Sequence, residues 1–153
     1  MIPIKRILWP TDFSEPSYVA LDWAAGLAER LEAELLCLHV QELPPHNSEW
    51  ADASKFRVPL AVQEERKAIL KKMETIIAAR EQKNLIWSPL VQIDGAADGI
   101  VKVAGEESAN LIVIATHGLT GWRRLVFGSV TETVVRSSPC PVLTIPPPET
   151  EHA

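Results

Sequence analysis

Leu111-Ile112-Val113-Ile114-Ala115, followed by Thr116-His117-Gly118-Leu119-Thr120-Gly121-Trp122-Arg123-Arg124-Leu125-Val126-Phe127-Gly128-Ser129-Val130-Thr131, joins a wholly apolar run to a helical pattern through a glycine-punctuated loop. A short run with no polar residue fits a parallel strand covered on both faces. Ser129 is expected to cap a helix running from about Val130 to Ser137. Gly118, Gly121 and Gly128 remove side-chain bulk, and the start of the helix offers backbone N–H groups without acceptors. Such a loop can wrap an anion, and phosphate is the chemistry it suggests.

Strands and helices alternate outward from this unit. Ile4 to Pro10 reads as a first strand, and Ser14 caps a helix that carries Pro16 in its first turn and runs to about Glu32. Val19, Trp23, Leu27 and Leu31 recur every fourth residue and are predicted to form its inward stripe. Glu34 to Val40 is the second strand. Pro44 to Arg57 is a polar excursion, and a helix from about Pro59 to Gln82 turns Val62, Ile69, Met73 and Ile76 or Ile77 inward. Leu85 to Ile93 forms a third strand, which Pro89 assigns to a sheet margin. Asp94-Gly95 turns into a helix to about Glu107, and Cys140 to Ile145 is the fifth strand. The alternation predicts an α/β fold, an open five-stranded parallel sheet with helices on both faces and ligand at the carboxyl ends of the strands. The strand ends to inspect are Pro10, Thr11 and Asp12, Val40 to Glu42, and Ala115 to Gly118.

Composition bounds the function. A chain of 153 residues with 46% hydrophobic content buries roughly two thirds of its unfolded surface without a disulfide or metal staple. One domain over 1–146 with a solvated tail over 147–153 is expected. Cys37 and Cys140 match no ligand spacing and read as small core residues. No apolar run reaches membrane-span length, and the start lacks the apolar region of a signal peptide, which predicts a soluble cytoplasmic protein. A net charge of −5 argues against broad nucleic-acid binding.

Ile7-Leu8-Trp9-Pro10-Thr11-Asp12-Phe13-Ser14, with Ser138-Pro139-Cys140-Pro141-Val142-Leu143 at the other end, resembles the universal stress protein family over nearly the whole chain. Nucleotide-binding members of that family carry G-x2-G-x9-G-[ST]. Gly118, Gly128 and Ser129 reproduce its second half, whereas Ala115 stands at the first glycine and Gly121 lies outside the motif. The resemblance implies a Rossmann-like, adenine-nucleotide-binding fold that takes ATP, or AMP or ADP, with Mg2+ or Mn2+. It places Asp12 at the ribose or at the phosphate and metal side, and the backbone of Val40 at adenine. Ile114 and Ala115 would line the approach to sugar and phosphates, and Gly118, Gly128, Ser129 and Val130, with Thr131 beside them, would supply the phosphate contacts. It also implies an antiparallel homodimer through Val142, Leu143, Thr144 and Ile145, a strand expected at a sheet margin.

Each position has a plainer reading as well. Asp12 serves equally to hold the turn before the Ser14 helix, and the glycines serve equally a tight turn. His117 invites a general-base role but reads as a structural or solvated loop histidine. Arg123 and Arg124 pair with phosphate or with water, and Trp122 acts as a lid or a partner contact. If the backbone at Ala115 takes positive φ, alanine there costs roughly 1–2 kcal/mol relative to glycine and weakens nucleotide binding. Three classes follow: a nucleotide-binding module of the stress response, acting through nucleotide-dependent stability or partner choice; a slow ATPase holding a metal on Asp12; and a dimeric interaction protein without nucleotide.

Overall fold

The computed structural model describes residues 2–42, 59–117 and 127–148. The excursion over 44–57, together with Gly118, Gly121, Trp122, Arg123 and Arg124 and the tail from 149, lies outside them. The elements run β1 (Arg6–Pro10), α1 (Glu15–Leu31), β2 (Glu34–Gln41), α2 (Leu60–Ala78), β3 (Trp87–Ile93), α3 (Ala96–Glu106), β4 (Leu111–Ala115), α4 (Ser129–Ser137) and β5 (Val142–Ile145). They form a five-stranded sheet in the order β3-β2-β1-β4-β5, and every pairing is parallel. The strands begin up to two residues later than the sequence suggested, and α2 ends at Ala78 rather than near Gln82.

Alternation along the strands divides the core in two. Ile7 and Trp9, Leu35 and Cys37, and Val113 and Ala115 turn to one face, where they pack with Ala20, Leu21, Ala24, Ala25 and Ala28 of α1 and Ile69, Met73 and Ile77 of α2. Leu8, Leu36, Leu38, Ile112 and Ile114 turn to the other, against Ile100, Val103 and Ala104 of α3 and Val134 of α4. Both faces are therefore covered, which is why β4 has no polar residue. Pro89 sits on β3, paired only with β2 at Cys37, so the margin expected of a proline-bearing strand is observed. At the opposite margin β5 pairs only with β4, leaving Leu143 36% exposed.

Two expectations about helices are corrected. The Val19, Trp23, Leu27, Leu31 row is not the inward face of α1: Trp23 and Leu31 are 57% and 41% exposed, while Val19 and Leu27 are partly buried at the flanks. Small residues form the contact because α1 lies close over β1 and β4, whose face already carries the Trp9 indole. That indole donates from Nε1 to the Ser17 carbonyl at 2.9 Å and draws the helix down. Ser129 is not the cap of α4 either. Gly128 occupies the N-cap with extended backbone, Ser129 is already helical, and no side chain caps the end. Ser14 does cap α1 as expected, its Oγ accepting from the Ser17 N–H at 3.4 Å.

Candidate functional site

From β1 the chain crosses to β2 on one side, while β4 lies against β1 on the other, so the strand order reverses between β1 and β4. Helices leaving adjacent strands in opposite directions part at this point and leave a crevice above the carboxyl ends. A cavity of ≈ 280 Å³ lies there, lined by Pro10, Thr11 and Asp12 after β1 and by Leu38, His39 and Val40 on β2. Ile114, Ala115 and His117 at the end of β4, and Gly128, Ser129, Val130 and Thr131 at the start of α4, complete that side. Its volume lies just below the range of about 300–1,000 Å³ usual for small-molecule sites. Pro10, Thr11, Asp12, Val40, Ile114, Ala115, Gly128, Ser129, Val130 and Thr131 are thus brought to one cavity from three strand ends and a helix start. Gly118 and Gly121 lie outside the described residues.

The β1 side is a turn held by side chains. Asp12 Oδ1 accepts from the Ser14 N–H at 3.0 Å and from Ser14 Oγ, which is the turn-holding role foreseen for it. Its other carboxylate oxygen takes no hydrogen bond from a described residue. Ser17 Oγ donates to the Ser14 carbonyl at 2.7 Å, so the 2.8 Å contact between Thr11 and Ser17 is donated by Thr11, whose Oγ1 also accepts from the Phe13 N–H. Phe13 takes φ of 61° and stacks on His39 with ring centroids 4.8 Å apart. His39 Nδ1 lies 2.8 Å from the Thr11 carbonyl, and since a carbonyl only accepts, Nδ1 carries the proton. Beside this turn the Tyr18 phenol is pushed up by burial and then by the Glu15 and Asp12 carboxylates, with Arg80 opposing.

The β4 side is tied to α4 at both ends of the glycine loop. Gly128 N–H donates to the Thr116 carbonyl at 2.9 Å, and Thr131 Oγ1 donates to the Ala115 carbonyl at 2.8 Å. These bonds hold the first turn of α4 against the strand crest, where the N–H groups of Ser129, Val130 and Thr131 have no acceptor within the helix. At Gly128 φ is −61°, and among the described residues a Cβ there would meet the Thr116 carbonyl, at an ordinary 3.6 Å. Neither the backbone nor packing against the described residues calls for glycine at 128, which borders the cavity. Ala115 shows the converse. It has no positive φ, pairs with Ile145 inside β4 and packs in the α1-side core, so the backbone penalty envisaged for alanine does not arise.

Several lining residues escaped the sequence reading. Ser17, Ala96 and Ile100 belong to the first turns of α1 and α3, and Leu38 and His39 precede the Val40 already noted. His117 is 6% exposed and faces the cavity, with Nδ1 3.0 Å from Thr116 Oγ1, so the solvated reading does not hold. The legible signal was the rule that places ligands at strand ends, applied to whole ends rather than single residues. A further residue, Gly99 of α3, fixes the wall behind Val40: a Cβ there would come within 2.8 and 3.0 Å of the Val40 methyls. Among the described residues no group of three or more His, Cys, Asp or Glu side chains is placed to hold a metal. No described helix is long and apolar enough to cross a membrane.

A family model for the universal stress protein family matches residues 3–146, and the chain belongs to that family. It is 33% identical to a universal stress protein of Methanocaldococcus jannaschii, over 96% of this chain and 85% of the relative. A second protein of that organism is 30% identical over 92% of this chain and 94% of its own length. The solved structure of this second relative superimposes with a TM-score of 0.73 at 28% identity, covering 97% of this chain and all of the other. A universal stress protein solved in complex with cAMP superimposes with a TM-score of 0.63 at 26% identity, over 94% of this chain and 98% of that one.

Proposed function

We propose that this universal stress protein is an adenine-nucleotide-binding module that takes ATP, AMP or ADP in the crevice between β1 and β4. The observation that carries the reading is the start of α4: N–H groups without an acceptor among the described residues, and a glycine whose φ does not require one, border a cavity at the strand-order reversal. That the solved relative holds cAMP supports an adenine nucleotide in particular. Val40 would present its backbone to the base, and Gly128, Ser129 and Val130 their N–H groups to the phosphates, joined by Gly118 from the loop. The oxygen of Asp12 that has no partner among the described residues fits a ribose hydroxyl or a Mg2+ or Mn2+ ion completed by phosphate oxygens. Nucleotide occupancy then shifts stability or partner choice, in a cytoplasmic homodimer joined through β5.

Mass spectrometry of small molecules released from denatured, freshly purified protein, with thermal unfolding in ATP, GTP and cAMP, tests this. A bound adenine nucleotide, and greater stabilisation by adenine than by guanine nucleotides, is expected. Equal stabilisation by ATP and GTP, or none by any of them, overturns the reading.

A further inference from the structure

We propose that His117 is a phosphate-binding residue of this site, donating from Nε2 to a nucleotide oxygen and taking up a proton as the anion enters. The inference rests on the nucleotide reading above and adds to it a side-chain contact from a non-glycine position of the motif. His117 stands where the chain leaves β4, is 6% exposed, and lines the cavity together with the opening turn of α4. Its Nδ1 is engaged by Thr116 Oγ1 at 3.0 Å, while Nε2 has no partner among the described residues. Among the described residues the side-chain atoms sealed from solvent without a partner are Gln41 Oε1 and Gln82 Oε1, and Nε2 is not one of them, so it is open to what enters the cavity.

Thr116 gives the ring freedom to change state. Its hydroxyl makes no other hydrogen bond among the described residues, so it can donate to a bare Nδ1 or turn to accept from a protonated one. Nε2 carries a proton for the ligand both in the neutral tautomer that leaves Nδ1 bare and in the imidazolium, in which Thr116 accepts. Other titratable groups on the described lining are already committed. Asp12 accepts from Ser14, and the Nδ1 proton of His39 is given to the Thr11 carbonyl. On α4, Glu132 and Arg136 pair with each other at 2.8 Å. The described lining has no lysine or arginine, so His117 is its available cation on the phosphate side, next to the N–H groups of Ser129 and Val130. An anion there favours the imidazolium, so binding takes up a proton from solvent.

The test is calorimetric titration of wild type and His117→Gln with ATP and Mg2+ at pH 6 and pH 8. The nucleotide's own phosphate titration is common to both proteins and cancels in the ratio of their affinities. That ratio is expected to favour wild type about fivefold more at pH 6 than at pH 8, the size given by a histidine moved up by about one unit on binding. A ratio unchanged with pH, with both proteins binding and folded by circular dichroism, overturns the inference and leaves the nucleotide reading intact. Wild type that binds at neither pH overturns both. If His117→Gln does not fold, proton NMR of the wild-type imidazoles decides: addition of ATP and Mg2+ must move one buried histidine to a higher titration midpoint, and no such movement overturns the proposal.

Discussion

Three small residues carry different weights, and only their surroundings tell them apart. Gly128 borders the cavity with room for a Cβ among the described residues, so a larger side chain there is expected to collide with a bound nucleotide rather than with the fold. Gly128→Val, and separately Ser129→Asp, which puts negative charge at a phosphate position, should abolish ATP binding in calorimetry with an unchanged circular dichroism spectrum. Loss of the fold would return the loop to a structural role. Ala115 lies within a strand, where glycine adds only backbone entropy to the unfolded chain. Ala115→Gly should lower unfolding free energy by about 0.5–1 kcal/mol in urea and leave ATP affinity no tighter. A tighter complex would show that the missing motif glycine matters through something other than φ. Gly99 has the opposite constraint from Gly128, since its Cβ would meet the Val40 methyls at 2.8 and 3.0 Å and Asp94 Cβ at 3.1 Å. Gly99→Ala should cost about 1–3 kcal/mol through overpacking and weaken nucleotide binding by displacing Val40. A variant as stable as wild type would mean that Val40 turns aside freely.

At the scale of elements, α1 shows how a periodic row misleads. At about 100° per residue, Val19, Trp23, Leu27 and Leu31 start on the side of the helix away from Ala20, Leu21, Ala24, Ala25 and Ala28, and a drift of about 40° per step turns only the end of the row toward that face. The alanines at 20, 24, 25 and 28, with Leu21, form the contact because a helix lying close over the sheet needs small side chains there. Size attracted the sequence reading to the large residues, whereas separation between layers selects the small ones. β5 was legible for a different reason: prolines at 139, 141 and 146 isolate it, and its place at the sheet margin follows. Leu143 there shares the α1 face with its partner Val113 and is 36% exposed beside unpaired backbone groups. If two copies join through this strand, light scattering should report twice the 16.9 kDa chain mass. Leu143→Lys should then shift the population toward monomer. A dimer indifferent to that charge would place the contact elsewhere.

For the molecule as a whole, the core has a pH limit as well as a packing limit. Cys37 lies on β2 between Trp9 of β1 and Pro89 of β3, and burial pushes its thiol up to about 12 from 9.0. The group's pKa is higher folded than unfolded, so its contribution is fully present below about pH 9 and declines as pH rises through the folded value. Between those limits the unfolded chain ionises first. Urea unfolding of wild type should therefore weaken above pH 9 more steeply than that of Cys37→Ala, by up to about 1.4 kcal/mol per pH unit. Parallel slopes would show that Cys37 ionises in the folded protein as readily as in the unfolded chain. Cys140, partly buried, should react with iodoacetamide at pH 8 under conditions that leave Cys37 unmodified.

The α/β alternation, the parallel sheet, the marginal places of β3 and β5 and the strand ends that gather at the cavity follow from the order of residues alone. They depend on properties that are local along the chain: an uninterrupted apolar run, a proline that cannot donate, a serine ahead of a helix. Only the tertiary structure decided which face of α1 is buried, that Gly128 rather than Ser129 stands at the cap of α4, and that Ala115 carries no backbone strain. It alone brought His39 to the cavity and set Gly99 behind Val40. Those facts depend on distances between segments far apart in the chain. Such distances are fixed by the separation of packed layers and by the hydrogen bonds that tie one strand end to the next helix, and no periodicity within a segment contains them.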